Sequence, residues 1–594
     1  MCGINGFNFK NIDLIKKMSA ITSSRGPDNE GYYFSDNYSV GHNRLAIIDP
    51  DKRSNQPFKF KELILSFNGE IYNYSDIKNK LVYEGYSFET TSDTEVIIKL
   101  FHLEGINAFK KISGIFALSI YDTKINKLYL VRDTVGVKPL YYYYDSTFKK
   151  FYYSSLIKPL LISIKEKKLN NNALLSYSNF NRNDFRETFF KNIFKVLPGE
   201  LVEVQNGFYK RSKLIDLNFK NFNLNNSVSD IINFNFSKQF MSDVPVALSL
   251  SGGIDSNIIF QELLKDKGNK FSNYSVKFKG SAKYGEDHKI AKKISDHYGV
   301  KFNSIEVDSK DFEETAEKIV EIVEEPTGNT NSISNYILSK NITEKVLFSG
   351  DGGDEVFTGY DKYKSIYKIS LLMKINLFKK FNFKFKNKNL NRLFINNSRD
   401  LYLTFSEQNL FKSSNKIFNN FKYITKNDLD EILNHTSNLN GDLNLSSVMY
   451  HDLDTWIPND ILLRNDKIYA NKGIEVRVPF LDKNIIENFL MISDFKKFGL
   501  FFKNKNILTK SYKNLLGMTV KKKLGFNSPF AGWLRDDLFK FASEILNKSY
   551  YDSSNYINLN ECQKLIKRHK ENYYDPYLIW NLISLQIFLR KFRF

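Results

Sequence analysis

Apolar and polar residues alternate with a period of about two along many short stretches of residues 1–205, which is typical of half-buried β-strands. Turn-forming pairs such as Asn68-Gly69 and Asp36-Asn37 separate these stretches. The alternation predicts strands within residues 32–49, 63–73, 114–122, 127–133, 140–144 and 151–155, and a helix over 94–103. Many short strands at this spacing predict a sheet sandwich.

The pattern changes near residue 225, where short apolar runs begin to alternate with helical periodicity. Apolar strands are predicted at 244–250, 273–278 and 345–350, and helices at 257–264 and 286–299. Repeated strand–turn–helix units predict a parallel α/β sheet. The last 200 residues are predicted to be mostly helical. We therefore expect a first domain at 1–205, a polar linker at 206–226 and a second domain at 227–594.

The net charge of +20 raises the question of a nucleic-acid partner. The densest basic patch is the stretch 378–394, FKKFNFKFKNKNLNRLF, in which lysines and aromatic residues interleave. Lysine, asparagine, phenylalanine and tyrosine are abundant along the whole chain, however, so a general compositional bias explains the charge. We expect no nucleic-acid partner, and the sequence assigns no role to 378–394.

Cysteine and histidine usage argues against a disulfide framework or a zinc site, because the chain has two cysteines and seven scattered histidines. No stretch approaches 18 consecutive apolar residues, so no transmembrane segment is predicted. The chain also starts without a basic, then apolar, secretion signal. These features predict a cytoplasmic protein. The chain has 42% apolar and 26% charged residues, which are values typical of globular proteins.

The hexapeptide SGGIDS, residues 251–256, follows a predicted strand and precedes a predicted helix. Glycines allow backbone N–H groups to approach an anion, and the start of a helix favours negative charge. Asp255 would repel a phosphate directly, but it is suited to hold Mg²⁺. The hexapeptide predicts a pyrophosphate-binding loop, with an ordinary strand–helix turn as the alternative.

A second acidic loop, SGDGGDE at residues 349–355, also follows a predicted strand. In a parallel sheet both loops would emerge at the carboxyl edge, where ligands bind. Acidic, glycine-rich turns facing a phosphate loop fit the chemistry of Mg²⁺ and a nucleotide. The spacing of a calcium-binding EF-hand loop is absent.

Cys2 precedes the small residue Gly3. If Met1 were removed, the free α-amine of Cys2 could take the proton of its own thiol and create a nucleophile. An isolated cysteine at this position carries no function by itself, so the hypothesis depends on the rest of the chain.

Together the motifs resemble the glutamine-dependent asparagine synthetase family, and the resemblance covers essentially the whole chain. In chain order the matching segments are MCGI, SSRGPDNEG, GHNRLAIID, NGEIYNY, SDTEV, GIFALSIYD, RDTVGVKPLYY, SGGIDS, SGDGGDEVFTGY, NDKIYANKGIEVRVPFLD and KKKLGFNSP. The resemblance implies an Ntn-type four-layer αββα sandwich as a class II glutamine amidotransferase domain. It also implies a parallel α/β domain of the ATP-pyrophosphatase type with a helical extension.

For the first domain the resemblance implies a glutaminase site. Cys2 would be the nucleophile after removal of Met1. Asn68 and Gly69 would form the oxyanion hole, in which each donor typically contributes about 3–4 kcal/mol. Arg44 would clamp the α-carboxylate of glutamine as a bidentate pair. Glu70 and Asp93 would hold the α-ammonium.

For the second domain the resemblance implies a site for ATP and Mg²⁺. Asp255 and Asp354 would carry Mg²⁺, Asp351 would act in forming the acyl adenylate, and Lys467 would neutralise the departing pyrophosphate. The remaining nucleotide contacts would come from Leu250, Ser251, Gly252, Gly253, Ser256, Val276, Ser349 and Gly350.

The implied reaction activates aspartate as β-aspartyl-AMP and amidates it with ammonia passed internally, releasing asparagine, AMP and pyrophosphate. The chain departs from the family pattern at Asp351 (often Glu), at Leu156 (an acid), at residues 469–471 and at Thr358 (a glycine). These departures leave the acceptor open, so an amidotransferase for another carboxylate, such as a sugar acid of surface polysaccharides, is the alternative. A degenerate, non-enzymatic member is disfavoured because the main site residues are present. Family members are often homodimers.

Overall fold

The computed structural model describes residues 1–219, 227–279, 286–374, 416–419, 427, 445–514, 528–572 and 575–594. The basic stretch 378–394 lies outside the described residues, as do residues 521–527 of the motif KKKLGFNSP.

The first domain contains two six-stranded antiparallel sheets. The first sheet has the strand order β10-β8-β9-β1-β3-β2, and the second has the order β12-β11-β7-β6-β5-β4. Their strands are β1 Gly3–Phe7, β2 Asn29–Ser35, β3 Tyr38–Arg44, β4 Phe58–Phe60, β5 Leu63–Ile71, β6 Gly114–Asp122, β7 Lys127–Arg132, β8 Tyr141–Asp145, β9 Lys150–Ser154, β10 Ile193–Lys195, β11 Glu200–Gln205 and β12 Phe208–Lys213.

Helices cover the outer faces of both sheets. The helices of this domain are α1 Ile12–Thr22, α2 Tyr74–Tyr83, α3 Asp93–Glu104, α4 Ala108–Lys111, α5 Lys158–Leu161 and α6 Asn171–Phe180. Helix α1 packs on β1 and β3, and α3 packs on β4 and β5. Between the sheets, alternate strand residues such as Ile4, Val40, Ile64 and Leu130 form a fully buried core. The four-layer αββα sandwich is therefore confirmed.

Strand β12 begins inside the stretch 206–226 that the sequence assigns to a linker. It pairs with β11 along its whole length, from Glu200 opposite Lys213 to Gln205 opposite Phe208. The short turn at Asn206-Gly207, with both residues at positive φ, closes this hairpin. The sheet of the first domain thus extends to Lys213, beyond the predicted boundary at residue 205.

The second domain is built on a five-stranded sheet in the order β15-β14-β13-β16-β17. Its strands are β13 Val246–Ser249, β14 Ser272–Phe278, β15 Lys301–Val307, β16 Val346–Phe348 and β17 Glu475–Arg477. All four neighbouring pairs are parallel, as predicted. The chain runs outwards from β13 to β15, then returns to β16 on the other side of β13. This reversal creates a topological switch point between β13 and β16.

Helices flank this sheet and form most of the described C-terminal part. They are α7 Val228–Gln239, α8 Ile254–Lys267, α9 Glu286–Tyr298, α10 Ser309–Val323, α11 Asn331–Asn341, α12 Gly353–Val356, α13 Asp361–Lys374, α14 Leu445–His451, α15 Leu462–Ala470, α16 Lys483–Phe489, α17 Asp494–Phe498, α18 Asn506–Ser511, α19 Phe530–Arg535, α20 Phe539–Ile545, α21 Leu559–Asn572 and α22 Pro576–Phe592. A π-helical segment, Asp452–Ile461, joins α14 to α15. Among the described helices, none combines the length and the apolar character needed to span a bilayer.

Candidate active sites

Cys2 lies directly before β1 and is buried. Its Sγ accepts a hydrogen bond from the backbone N–H of Leu45 at 3.4 Å and lies 4.0 Å from the Leu45 carbonyl oxygen. Burial raises the pKa of the Cys2 thiol, because it disfavours the charged thiolate. The thiol therefore needs a base within reach to become a nucleophile.

Asn68 on β5 faces Cys2 across the sandwich. Its Oδ1 accepts a hydrogen bond from the backbone N–H of Cys2 at 2.8 Å. Its Nδ2 is buried, and it has no hydrogen-bond partner among the described residues. Gly69 has φ +146°, and a Cβ there would lie 2.0 Å from the carbonyl oxygen of Ile115. A buried donor without an acceptor beside a thiol is what an oxyanion hole requires.

Two buried acids, Glu70 on β5 and Asp93 at the start of α3, lie close enough for their charges to interact. Asp93 accepts a hydrogen bond from the backbone N–H of Ile71 at 3.0 Å. Burial raises the pKa of Asp93 to about 6. Burial also raises the pKa of Glu70 well above its usual value, although the nearby charge of Arg477 opposes the rise, and the charge of Asp93 adds to it. Glu70 already has the guanidinium of Arg477 at 3.3 Å, so an ammonium group bound by the two acids would share Glu70 with that cation.

Arg44, at the end of β3, is buried and already has several backbone acceptors. Its guanidinium donates to the carbonyl oxygens of Ile48, Asp49 and Asp51 and to Oδ1 of Asn55. Four of its five N–H donors are thus engaged with the loop 48–55. The bidentate carboxylate clamp predicted from the sequence is therefore not preformed, because a carboxylate would have to replace two of these acceptors.

The loop Ser251–Ser256 connects β13 to α8 at the switch point of the sheet. The Ser256 hydroxyl donates to the carbonyl oxygen of Gly253 at 3.1 Å and accepts from the backbone N–H of Ser251 at 3.2 Å. Gly252 has φ +69°, a conformation that favours glycine. Helix α8 starts at Ile254 and has 14 residues, so its N-terminal dipole points into this loop.

The second acidic loop packs directly against the first one. A Cβ on Gly353 would lie 2.7 Å from the carboxyl carbon of Asp255, and a Cβ on Gly350 would lie 3.2 Å from the Asp255 Cβ. The glycines are therefore needed for the close approach of the two loops. As the sequence predicts, both loops lie at the carboxyl edge of adjacent parallel strands.

Lys505, at the N-terminal end of α18, forms ion pairs with both Asp255 and Asp354. The resemblance implies Mg²⁺ at these two carboxylates, and in the structure the ammonium of Lys505 occupies the position of that cation. The described residues contain no group of three or more acidic, histidine or cysteine side chains arranged for a metal. Mg²⁺ in nucleotide sites usually takes one or two carboxylates plus phosphate oxygens, so this pair fits such an ion.

Asp351 lies at the centre of the second loop. Its Oδ2 accepts hydrogen bonds from Oγ of Ser349 at 2.8 Å and from Nδ2 of Asn465 on α15 at 2.7 Å. Leu250 extends β13 by donating its backbone N–H to Tyr274, and Val276 is buried on β14. The predicted adenosine-lining positions thus lie on neighbouring strands.

Lys467 does not contact the loop Ser251–Ser256 or the second acidic loop. Its ammonium is fully buried, forms an ion pair with Glu324 at 2.8 Å and donates to the carbonyl oxygen of Val323 at 2.8 Å. These contacts join α15 to the end of α10 and not to the loop Ser251–Ser256. The cation found at the acidic loops is Lys505, so the structure does not place Lys467 where neutralisation of pyrophosphate was expected.

Sequence reasoning also missed Arg25 and Arg477. Arg25 donates to the carbonyl oxygen of Cys2 at 3.0 Å, and its guanidinium lies 2.8 Å from the carboxylate of Asp466. Arg477 lies 3.3 Å from Glu70 and 2.8 Å from Glu475. Both arginines lie in motifs quoted above, whereas Lys505 lies in none.

Comparisons with known proteins agree with this two-site arrangement. Residues 1–214 match the family described as glutamine amidotransferase domain, and residues 230–590 match asparagine synthase. The chain is 29% identical to "Asparagine synthetase [glutamine-hydrolyzing] 1" of Bacillus subtilis (strain 168), over 97% of this chain and 94% of that one. It is 31% identical to "Putative asparagine synthetase [glutamine-hydrolyzing] 2" of Methanocaldococcus jannaschii, over 64% and 79%. It is also 29% identical to "Amidase chry2" of Gibberella zeae, over 61% and 57%.

Proposed function

The chain belongs to the asparagine synthase family and is an ATP-dependent amidotransferase ligase, and we propose that it makes asparagine from aspartate, glutamine and ATP. The observation that carries the proposal is that one chain holds both sites. In the first domain Cys2 lies beside Nδ2 of Asn68, a donor without a partner among the described residues. In the second domain Asp255 and Asp354 share one cation, the ammonium of Lys505.

In the first site the proposed step is hydrolysis of the glutamine side-chain amide. After removal of Met1, the amine of Cys2 takes the thiol proton and the thiolate attacks the amide carbon. The C–N bond then breaks, the nitrogen takes the proton from the amine and leaves as ammonia, and water hydrolyses the thioester to glutamate and restores the thiol. Asn68 Nδ2 and the Gly69 backbone N–H donate to the oxygen as it becomes negative. Glu70 and Asp93 hold the substrate's α-ammonium. Arg44 attracts its carboxylate, exchanging two of its loop acceptors for the carboxylate oxygens.

In the second site the aspartate side chain attacks the α-phosphorus of ATP, and pyrophosphate leaves. Backbone N–H groups of Ser251–Ser256 and the N-terminus of α8 bind the pyrophosphate oxygens. Asp255 and Asp354 would hold Mg²⁺, which would offset the phosphate charge when bound. Lys505 then releases the two carboxylates and turns to the phosphates. Asp351, held by Ser349 and Asn465, acts in forming the acyl adenylate. Ammonia then attacks the acyl carbon, the bond from that carbon to the phosphate oxygen breaks, and AMP leaves as asparagine forms.

Ammonia passes between the sites inside the protein, because in water near neutral pH it would become unreactive ammonium. The buried interface supports this transfer. Ion pairs that lie almost entirely out of water, such as Arg25 with Asp466 and Lys138 with Glu475, cross it. A homodimer stays a prediction from the resemblance, and a cytoplasmic location stays a prediction from the sequence features described above.

The acceptor is the part of the proposal with a competing candidate. Family membership alone does not fix it, since one relative carries the name of an amidase. Pyrophosphate release by the purified protein, with Mg²⁺, ATP and glutamine, distinguishes the two. Release that requires aspartate and matches asparagine mole for mole supports the proposal. Glutamine hydrolysis with aspartate-independent or absent pyrophosphate release favours another carboxylate, and sugar acids are then the next compounds to test.

A further inference from the structure

Helix α15 carries three consecutive buried residues, Asn465, Asp466 and Lys467, that contact three different parts of the molecule. Successive side chains on a helix point about 100° apart, so three neighbours can reach three directions from one rigid segment. The three partners are Asp351, Arg25 and Glu324.

The contact of Asp466 leads to the nucleophile. Its carboxylate lies 2.8 Å from the guanidinium of Arg25, and both side chains are at most 2% exposed. The same guanidinium donates through Nε to the carbonyl oxygen of Cys2 at 3.0 Å. Asp466 therefore fixes the group that fixes the backbone of Cys2.

The contact of Lys467 leads to a second point on the first domain. Its partner Glu324 accepts hydrogen bonds from the backbone N–H groups of Ile157 at 2.9 Å and Lys158 at 2.7 Å, at the start of α5. A carboxylate at these donors is stabilised by their positive charge. Two neighbouring residues of α15 are thus anchored to the amidotransferase domain at two places.

The contact of Asn465 leads to the other active site. Its Nδ2 donates to Asp351 at 2.7 Å, while its Oδ1 accepts from Nδ2 of Asn335 on α11 at 2.8 Å. Because both ends of the Asn465 amide are held, a rotation of α15 must move the Asp351 carboxylate or break these bonds.

A cavity of about 320 Å³ borders this arrangement and is lined in part by Arg25, Glu324 and Lys467. Closely packed side chains change between discrete arrangements and do not deform continuously. The cavity gives the ion pairs of Arg25 and Lys467 room for a second arrangement. Breaking a buried ion pair outright is strongly unfavourable, so the pairs are expected to move together with the helix.

We propose that helix α15 couples the two active sites, with Asp466 and Asn465 as positioning residues for Cys2 and Asp351 respectively. A ligand that fixes the position of the Asp351 carboxylate rotates α15 or holds it in one position. Asp466 on the same helix then changes the position of Arg25, and Arg25 changes that of the Cys2 backbone. Glutamine hydrolysis is thereby favoured when the synthetase site is filled. The statement that a filled synthetase site favours glutamine hydrolysis rests on the proposed function. The contacts of α15 do not depend on which carboxylate is the acceptor.

The experiment measures alkylation of the Cys2 thiol by iodoacetamide, with and without saturating ATP and Mg²⁺. Peptide mass mapping separates Cys2 from Cys562, which is buried in α21 and whose pKa burial raises to about 12. In the unaltered chain ATP and Mg²⁺ are expected to change the alkylation rate about fivefold or more, a typical coupling between sites. No change in the unaltered chain overturns the inference, whatever the acceptor proves to be.

Two variants test the path through α15. Asp466→Asn keeps the shape but removes the charge that holds Arg25, and Asn465→Ala removes the contact with Asp351. In both we expect the effect of ATP on Cys2 alkylation to fall below twofold. Asn465 has no contact with the first domain, so a lost response in Asn465→Ala at an ATP concentration shown to saturate this variant identifies transmission and not damage at Cys2. A response kept in both variants overturns the inference.

Turnover gives an independent readout that separates the coupling from the proposed function. Asp466→Asn should keep ammonia-dependent amidation within about twofold, while the glutamate formed per amidated product rises at least about threefold. The matched control is Lys238→Met, which removes another ion pair between the domains, that with Asp76 at 2.9 Å, and which has no contact with α15 or Arg25. An unchanged ratio in Asp466→Asn contradicts the coupling, whereas absence of asparagine in the unaltered chain contradicts only the proposed acceptor.

Discussion

Arg477 on β17 places its guanidinium 3.3 Å from the carboxylate of Glu70, so a residue of the synthetase domain forms one wall of the proposed glutamine site. The carbonyl oxygen of Arg477 also accepts a hydrogen bond from the backbone N–H of Ser349, which begins the second acidic loop, at 2.9 Å. One residue therefore contacts both candidate sites. This residue therefore links the two domains at their candidate sites.

Arg477→Met is expected to lower the free energy of unfolding by about 3–5 kcal/mol, because it leaves Glu70 and Glu475 buried without their cation. Urea denaturation measures the effect. Arg53→Met is the control, since Arg53 is half exposed where it pairs with Asp49 and should contribute less than about 1 kcal/mol. A loss for Arg477→Met as small as that of the control would show that this pair does not hold the domains together.

Asn68→Asp separates the two roles of the Asn68 amide. The carboxylate still accepts the hydrogen bond from the Cys2 backbone nitrogen, but the buried donor Nδ2 is gone. We expect kcat for glutamine hydrolysis to fall by about 10²–10³, with ammonia-dependent synthesis retained. Steady-state glutamate formation measures kcat. A decrease in kcat of less than tenfold would show that Asn68 is not a donor of the oxyanion hole.

The pKa of Asp93, raised to about 6, predicts a pH dependence of glutamine binding. The substrate's α-ammonium needs the ionised carboxylate, so KM for glutamine should fall as the pH rises from 5 to 7. The contribution of Asp93 to the free energy of unfolding changes in the opposite direction, because it decreases as the pH rises. The proton favoured in the folded state stabilises it fully below the usual pKa of 3.8, and this stabilisation is lost as the pH rises to about 6. Asp93→Asn should raise KM and flatten its pH profile, and a profile that keeps its slope would point to another group.

Lys505→Met removes the cation that Asp255 and Asp354 share. The two carboxylates then lack a partner of opposite charge from α18, so the nucleotide-free protein should bind Mn²⁺ on the order of tenfold more tightly. Electron paramagnetic resonance of free Mn²⁺ measures this without turnover. Lys510→Met, an exposed position on the same helix, is the matched control. Equal affinity in the two variants would mean that Lys505 does not occupy the cation position.

The sequence predicts much of the fold because its signals are local. The alternation in residues 63–73 and 114–122 corresponds to β5 and β6, and the apolar runs before residues 251 and 349 correspond to β13 and β16. Strand β12 was missed because four of its six residues are polar and five are exposed, and pairing with β11 is what makes it a strand. Thr358, in place of a family glycine, indeed has a positive φ of 57°.

The candidate sites were predicted less completely, because partners far apart in the chain leave no local pattern. Cys2 and Asn68 are 66 residues apart, and Lys505 is 250 residues from Asp255. The charge of Lys467 was assigned to pyrophosphate, but its partner is Glu324, whose position only packing of α10 against α15 reveals. Charged residues in motifs can hold domains together as well as bind substrates.

The most direct test of the account follows nitrogen from glutamine to product. The purified protein, with intact mass showing loss of Met1, is given amide-¹⁵N-labelled glutamine, aspartate, ATP and Mg²⁺ in the presence of unlabelled ammonium. Cys2→Ala serves as the control that should use ammonium only. The account predicts asparagine whose amide carries mostly ¹⁵N in the unaltered chain and none in Cys2→Ala. Glutamate formation without labelled asparagine would contradict it.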